Sequence, residues 1–179
     1  MPASLQDSRA VPGLSASGHS GTRWLRRWWP VILWACLIWL FSTALFTSEN
    51  TSRFIVPILH WLFPNASPHT LAYLHHLVRK TAHFVEYFVF SLLVLRAIRG
   101  EQRGARLSWA LYSIALVGAY AALDESHQLF VLGRTASPWD VLLDTTGGVA
   151  AQALVALRAY RTNRSQPHAE ANDNATQSQ

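Results

Sequence analysis

Four long apolar stretches limit the fold of this chain more than any other feature of its sequence. They lie at residues 28–46, 81–98, 107–125 and 139–157. A helix needs about 20 mostly apolar residues to cross the hydrocarbon core of a bilayer, and each stretch is close to that length. The sequence therefore predicts an all-α fold, a polytopic membrane bundle of four transmembrane helices.

The composition also favours lipid over water as the solvent. Charged residues make up 14% of the chain and hydrophobic residues 50%, whereas soluble domains carry about 25% charged residues. The net charge of +5 is spread in small groups at the ends of the apolar stretches. That distribution is typical of topology signals, so nucleic-acid binding is not expected. The single Cys36 has no cysteine partner for a disulfide.

The segments outside the four spans are of two kinds. The polar residues 1–22 and 161–179 lack apolar periodicity, and we predict disordered tails on either side of one transmembrane domain, residues 23–160. The segment FIVPILHWLF at residues 54–63 is apolar but too short to cross a bilayer, and it contains Pro57. It is predicted to be an interfacial or re-entrant segment after the first span.

The arginines and lysines predict the orientation of the four spans. If the spans alternate, eleven of the fifteen basic residues fall on one side of the membrane, and the other side holds only Arg53, Arg79, Lys80 and Arg134. Cytoplasmic loops carry the excess of basic residues in membrane proteins. Both chain termini are therefore predicted to be cytoplasmic.

The polar residues within the spans are concentrated near the opposite, non-cytoplasmic face. They come from three separate segments: Lys80, His83, Glu86 and Tyr87; Asp124, Glu125 and Gln128; and Arg134, Asp140 and Asp144. An ionised group within a bilayer costs several kcal/mol unless it is paired or hydrated. We therefore expect these side chains to meet in one pocket. Gly118 and Gly147 would let the last two spans approach closely.

Each of these residues also has a plainer interpretation, which the sequence leaves open. Asp140 follows the Ser-Pro pair at 137–138, a pattern of helix starts, so its carboxylate would suit a first helical turn. Lys80 would serve as an interfacial anchor, and His83 would fit a hydrogen bond in the core. Asp124 and its neighbour Glu125 would be solvated residues at a helix end.

The segments RKTAHFVEYFVF and LDESHQLFVLGRTASPWDVLLDTTGG resemble the VanZ-like family of small bacterial membrane proteins, over about residues 25 to 158. The matching positions are Lys80, His83, Tyr87, Asp124, Glu125, Gln128, Arg134, Asp140 and Gly147. Two positions depart from the family pattern: Asp144 stands where many relatives have Asn, and Leu132 where Pro is common. The resemblance implies a place in the bacterial inner membrane and a role in the cell envelope, with a link to teicoplanin resistance. It supplies no reaction.

Three active functions compete with a purely structural role. The first is binding or modification of an amphiphilic envelope molecule, such as a lipid-linked glycan or a lipoglycopeptide. Its ligand-binding residues would be Lys80, Glu86, Tyr87, Gln128, Asp140 and Asp144. A proton-coupled transporter is the third function. The inner halves of all four spans are apolar, so no continuous polar path for protons is visible within one chain.

The second function is that of a membrane-embedded hydrolase or transferase. Glu125 or Asp124 would be its general base, His83 its general acid or proton shuttle, and Arg134 would stabilise developing charge. The histidines lack the spacing of metal ligands, so no metal and no cofactor are expected. The expected partners are membrane lipids and the amphiphilic ligand, and the sequence is compatible with a homo-oligomer.

Overall fold

The structure is a computed structural model that describes residues 18–43, 47–102, 104–131 and 136–165, and within these ranges it is helical with no strand. The five helices are α1 (Gly18–Phe41), α2 (Ser48–Leu62), α3 (Pro68–Arg99), α4 (Leu107–Gln128) and α5 (Pro138–Ser165). The all-α prediction is confirmed. Most of both predicted tails lies outside the described residues, as does Arg134.

Side chains that cap backbone N–H groups mark the starts of α2, α3 and α5, whereas α4 begins without such a cap. Thr47 accepts the N–H of Asn50 at the start of α2, and Ser67 accepts the N–H of Thr70 at the start of α3. Ser137 accepts the N–H of Trp139 at 3.2 Å where α5 begins. Each bond satisfies a donor that has no partner within its helix. The helix start predicted around Asp140 is therefore confirmed.

Three helices, α3, α4 and α5, are long and apolar enough to cross a membrane. They contain the predicted spans at 81–98, 107–125 and 139–157, although α3 begins at Pro68, well before its predicted span. The prediction of four spans is not borne out at α1. The described helix ends at Phe41, so its apolar part from residue 28 covers only about 21 Å at 1.5 Å per residue, against about 30 Å of hydrocarbon.

Helix α2 contains most of the predicted interfacial segment, residues 54–63. Its outer face leaves Phe54, Ile58 and Trp61 largely exposed, whereas its inner face contacts α3. Thr51 Oγ1 lies 3.3 Å from His75 Nε2, and Arg79 donates a hydrogen bond to Ser48 Oγ. This short amphipathic helix therefore lies against α3 with an apolar face turned outward.

Helix α3 lies at the centre of the fold and contacts the other four helices. Its closest approach is to α5 at Gly147, where an added Cβ would lie 2.4 Å from the backbone oxygen of Phe84. The sequence assigned Gly147 to the contact between the last two spans, α4 and α5, but this glycine faces α3. The next residue, Gly148, faces α4, with Val117 Cγ1 2.9 Å from the position of a Cβ.

The two ends of the bundle differ in charge. At the basic end, Arg27 of α1 pairs with Glu101 after α3 at 3.3 Å, and Arg99 of α3 and Arg158 of α5 line one pocket. These three arginines are among the eleven basic residues that the sequence placed on one side. The opposite end, here called the polar end, holds Lys80, Asp140 and their neighbours.

Candidate functional site

An ion pair between Lys80 and Asp140 lies at the mouth of the polar end. It joins α3 to the first turn of α5. Both side chains are partly exposed, at 34% for Lys80 and 26% for Asp140. Asp140 therefore lies in the first turn of a helix and also pairs with a cation, so the two interpretations of this residue are compatible.

A second pair lies one helical turn deeper on the same two helices. His83 Nδ1 is 3.7 Å from Asp144 Oδ1, and the two residues follow Lys80 and Asp140 by three and four positions, the spacing of one helix face. Asp144 is fully buried, whereas the His83 side chain retains 23% of its exposure. His83 thus stands between a buried carboxylate and more open space.

The carboxylates of α4 are buried and hydrogen-bonded. Asp124 is 1% exposed and Glu125 5%. Gln128 Nε2 donates to Asp124 Oδ2 at 3.2 Å, and the backbone N–H of Ser137 donates to Glu125 Oε2 at 2.8 Å. This burial contradicts the interpretation of the two acids as solvated residues at a helix end. The bond to Ser137 also ties the end of α4 to the start of α5.

The ionisable residues of three helices form one cluster, which we call the acidic cluster: Glu86 and Tyr87 of α3, Asp124 and Glu125 of α4, and Asp144 of α5. Asp144 lies within electrostatic range of the other three carboxylates and of Lys80. Tyr87 is completely buried and lies within range of Glu86, Asp124 and Asp144. The structure therefore brings together side chains from distant parts of the chain, as the sequence led us to expect.

Among the described residues, hydrogen bonding within the acidic cluster is incomplete at Tyr87 and Asp144. The hydroxyl of Tyr87 and both carboxylate oxygens of Asp144 are buried, and no residue in the described part of the chain makes a hydrogen bond to them. A buried polar group without a hydrogen bond costs about 1–3 kcal/mol. Such groups are uncommon in native proteins and call for a specific explanation, such as a functional role.

A groove of about 240 Å³ opens between α1, α2 and α3 at the polar end, and we call it the α1–α3 groove. Its walls are mostly apolar, with Arg79, His83 and Glu86 as the charged or titratable members. The full lining is Ile38, Phe41, Ser42, Thr51, Ile55, Val78, Arg79, Ala82, His83 and Glu86. His83 therefore contacts Asp144 and also lines the groove.

The predicted site residues divide into two groups by position. His83 and Glu86 line the α1–α3 groove, whereas the remaining members that the structure describes do not. Tyr87, Asp124, Gln128 and Asp144 are almost completely buried. They are placed to act through neighbouring residues rather than on a ligand in the groove.

Sequence reasoning missed the residues that α1 and α2 contribute to the groove. Ser42 and Thr51 line it, and so does Arg79 of α3, which was not among the predicted site residues. The available signal was the amphipathic pattern of α2, which shows that one face must pack against the bundle. Nothing in that pattern identifies the helix it packs on.

The described residues contain no group of three or more His, Cys, Asp and Glu side chains arranged to hold a metal ion. Two side chains that line the α1–α3 groove have properties that bear on function. The imidazole of His83 can exchange a proton, and the carboxylate of Asp144 lies 3.7 Å from its Nδ1. Arg79 can pair with a phosphate or carboxylate group.

Comparison with known proteins gives one match. A family model described as VanZ/LLP1 matches residues 28–159, which includes every residue of the acidic cluster and of the α1–α3 groove. No curated protein and no solved structure matches the chain.

Proposed function

Because this chain belongs to the VanZ/LLP1 family and three of its helices can cross a membrane, we propose that it is a membrane protein that binds an amphiphilic molecule of the bacterial cell envelope. The apolar part of the ligand lies in the α1–α3 groove. Its polar part lies beside Arg79, His83 and Glu86. A lipid-linked glycan and a lipoglycopeptide both have this division into apolar and polar parts.

The observation that carries the proposal is the composition of the groove. Apolar side chains such as Ile38, Ile55 and Val78 form its walls, and three charged or titratable side chains lie together on its α3 side. Binding sites for small molecules are typically apolar concavities with a few well-placed polar groups. An amphiphile in the surrounding bilayer would enter this groove without leaving lipid.

We also propose that α1 crosses the membrane. This helix has 24 residues, about 36 Å of length, and it reaches both ends of the bundle. Arg27 pairs with Glu101 at the basic end, and the ring of Trp39 stacks on His127 at the other end, with centroids 4.0 Å apart. With α1 included, four helices cross the bacterial inner membrane and both termini lie in the cytoplasm.

Cysteine labelling in intact cells tests this topology. In a Cys36→Ser background, Gly21→Cys and Thr43→Cys place single thiols near the two ends of α1. We expect an impermeant maleimide to label the cysteine at position 43 and not the one at 21. Asn163→Cys near the end of α5 should behave like Gly21→Cys. Labelling of 21 and 43 from the same side would show that α1 does not cross.

Photo-crosslinking tests binding in the groove. Membranes would be incubated with a diazirine analogue of a polyprenyl-phosphate-linked sugar. Ala82→Trp places an indole in the groove and should reduce crosslinking to background. Val85→Trp is the matched control, because Val85 is 49% exposed and does not line the groove. Equal crosslinking of the two variants at equal expression would reject the groove as the binding site.

A second candidate function, that of a hydrolase or transferase, is favoured by the His83–Asp144 pair. A histidine paired with a buried carboxylate is a recurring arrangement for proton transfer, and the 3.7 Å between His83 and Asp144 would shorten to a hydrogen bond in such a scheme. His83 would move a proton to or from a ligand in the groove. Arg134 would stabilise charge in this scheme, but it lies outside the described residues.

Lipid mass spectrometry separates the two functions. If the protein is an enzyme, cells that express the wild type should gain one envelope lipid and lose another relative to cells that lack it. His83→Gln should abolish this change while leaving crosslinking in the groove intact. If no lipid changes, the protein binds without chemistry. A role in teicoplanin resistance would be tested in the same strains by drug sensitivity.

A further inference from the structure

The basic end of the bundle holds a second pocket, of about 270 Å³, between α1 and the end of α3. It is lined by Arg23, Arg26, Arg27, Arg96, Gly100 and Glu101. We propose that this pocket binds the phosphate headgroup of an anionic membrane lipid. It lies at the opposite end from the α1–α3 groove and shares no residue with it, so the inference is independent of the proposed function.

The charges of the pocket match a phosphate group. Four guanidinium groups face one carboxylate, that of Glu101, which leaves the lining with an excess of three positive charges. Arg26 and Arg27 follow Arg23 by three and four residues, so each of them lies one turn from Arg23 on the same side of α1. Guanidinium groups bind phosphate with two parallel charge-assisted hydrogen bonds, and several of them here converge on one pocket.

Part of the pocket is held in place before any ligand binds. Arg27 Nη2 lies 3.3 Å from Glu101 Oε1. The guanidinium of Arg27 also packs on Gly100, where an added Cβ would lie 2.8 Å from Arg27 Cζ. Gly100 ends α3 with a φ of +58°, a conformation that favours glycine. The turn after α3 thus positions one cation, which reduces the entropy lost on binding.

The surroundings of the pocket indicate a lipid rather than a free anion. The same segment of α1 exposes Trp24, Leu25 and Trp29, each more than half exposed, and Ile32 and Leu33 follow one turn later. An apolar surface therefore runs from the cationic pocket along the helix. A headgroup bound by the arginines would place its acyl chains along this surface, and basic pockets between membrane helices are known to bind such headgroups.

Thermal unfolding of the full chain in a neutral detergent tests the proposal. The protein would be titrated with dioctanoyl phosphatidylglycerol, with dioctanoyl phosphatidylcholine and with inorganic phosphate. We expect phosphatidylglycerol to raise the Tm in a saturable manner and the other two to have no effect at equal concentration. Stabilisation by phosphatidylcholine equal to that by phosphatidylglycerol, or by phosphate alone, would overturn the proposal of an anionic-lipid site.

A pair of double variants locates the binding. Arg26→Gln with Arg96→Gln removes two exposed arginines of the pocket. Each cation near an anionic membrane surface contributes about 1 kcal/mol, and about 1.4 kcal/mol corresponds to a tenfold change in affinity. The double variant should therefore weaken the apparent affinity for phosphatidylglycerol about 30-fold. Arg161→Gln with Arg164→Gln removes two charges near the end of α5, outside this pocket, and should leave the affinity unchanged. Equal affinities in both variants would overturn the assignment. If the first variant does not fold, Arg26→Lys with Arg96→Lys replaces it, and its control is Arg161→Lys with Arg164→Lys. We expect a smaller loss of affinity for phosphatidylglycerol in the first lysine variant and no loss in its control.

Discussion

Two sets of polar side chains, all buried except the partly exposed Glu86, join α3, α4 and α5, and they differ in how completely the described residues make their hydrogen bonds. In the first set, Gln152 Nε2 donates to Ser91 Oγ at 2.8 Å and to Ser113 Oγ at 3.1 Å. Ser91 Oγ donates to the backbone oxygen of Gly148, and Ser113 Oγ to that of Ser91, both at 3.0 Å. We call these three side chains the serine–glutamine network.

The acidic cluster is the second set. The Tyr87 hydroxyl and both oxygens of Asp144 are buried there without a hydrogen bond from the described residues, and several carboxylates lie within electrostatic range of one another. A satisfied polar network joins helices in lipid, whereas an incompletely satisfied one lowers stability. From this difference we expect the serine–glutamine network to contribute to the stability of the bundle, and the acidic cluster to contribute less to stability than to the function proposed above.

The largest expected effect on stability is at Gly147, where α3 and α5 are in close contact. Gly147→Ala puts a Cβ 2.4 Å from the backbone oxygen of Phe84, and backbone atoms cannot move aside as a flexible side chain can. We expect a loss of about 3 kcal/mol in the free energy of unfolding, measured by titration of micelles with SDS. Gly118→Ala is the control, because its Cβ would meet Thr145 Oγ1 at an ordinary 3.5 Å. Equal losses would show that α3 and α5 separate easily.

The serine–glutamine network should be necessary for stability and not for binding. Gln152→Leu removes the donor to both serines, and we expect it to lower the free energy of unfolding by about 1–2 kcal/mol. Crosslinking of the diazirine probe in the groove should be unchanged when normalised to folded protein. A loss of crosslinking without a loss of stability would contradict the division between the two sets.

The acidic cluster should show the opposite behaviour. Asp144→Asn replaces a fully buried carboxylate, which no described residue hydrogen-bonds, with a neutral amide of similar size. We expect the free energy of unfolding to rise by about 1 kcal/mol, because the neutral group loses less on leaving water. Binding in the groove should persist, since Asp144 does not line the groove.

The same variant also bears on the choice between binding and catalysis. If the protein is an enzyme, Asp144→Asn should reduce turnover of the envelope lipid while crosslinking persists, because the amide cannot stabilise a protonated His83. A destabilisation as large as that of Gln152→Leu would show that the acidic cluster is a structural element like the first set.

The smallest effect on stability is expected at the mouth of the polar end, for the Lys80–Asp140 ion pair. A double-mutant cycle with Lys80→Met and Asp140→Asn should give a coupling free energy of about 0.5–1 kcal/mol, the range of partly exposed pairs. Raising the salt concentration should reduce it. A coupling of several kcal/mol would show that this pair belongs with the buried groups of the acidic cluster.

Particular residues show how far the sequence could predict this site. Lys80 and His83 were placed on one face of α3 by their spacing, and the depth of Asp140 and Asp144 followed from the start of α5. The sequence could not predict that Asp124 and Glu125 are buried, because the end of a helix is solvated unless another segment covers it. Here the N–H of Ser137, twelve residues later, hydrogen-bonds to Glu125.

The sequence by itself determined the helical class, most of the spans and the end of the bundle at which the ionisable residues gather. Length, hydropathy and helical spacing are local properties of the chain, and each limits depth and face directly. Only the tertiary structure decided that Gly147 faces α3, that α2 closes one side of the α1–α3 groove and that Asp144 is buried behind His83. These features depend on which distant segments come into contact, and the hydrophobic pattern of a single helix does not identify the helix against which it packs.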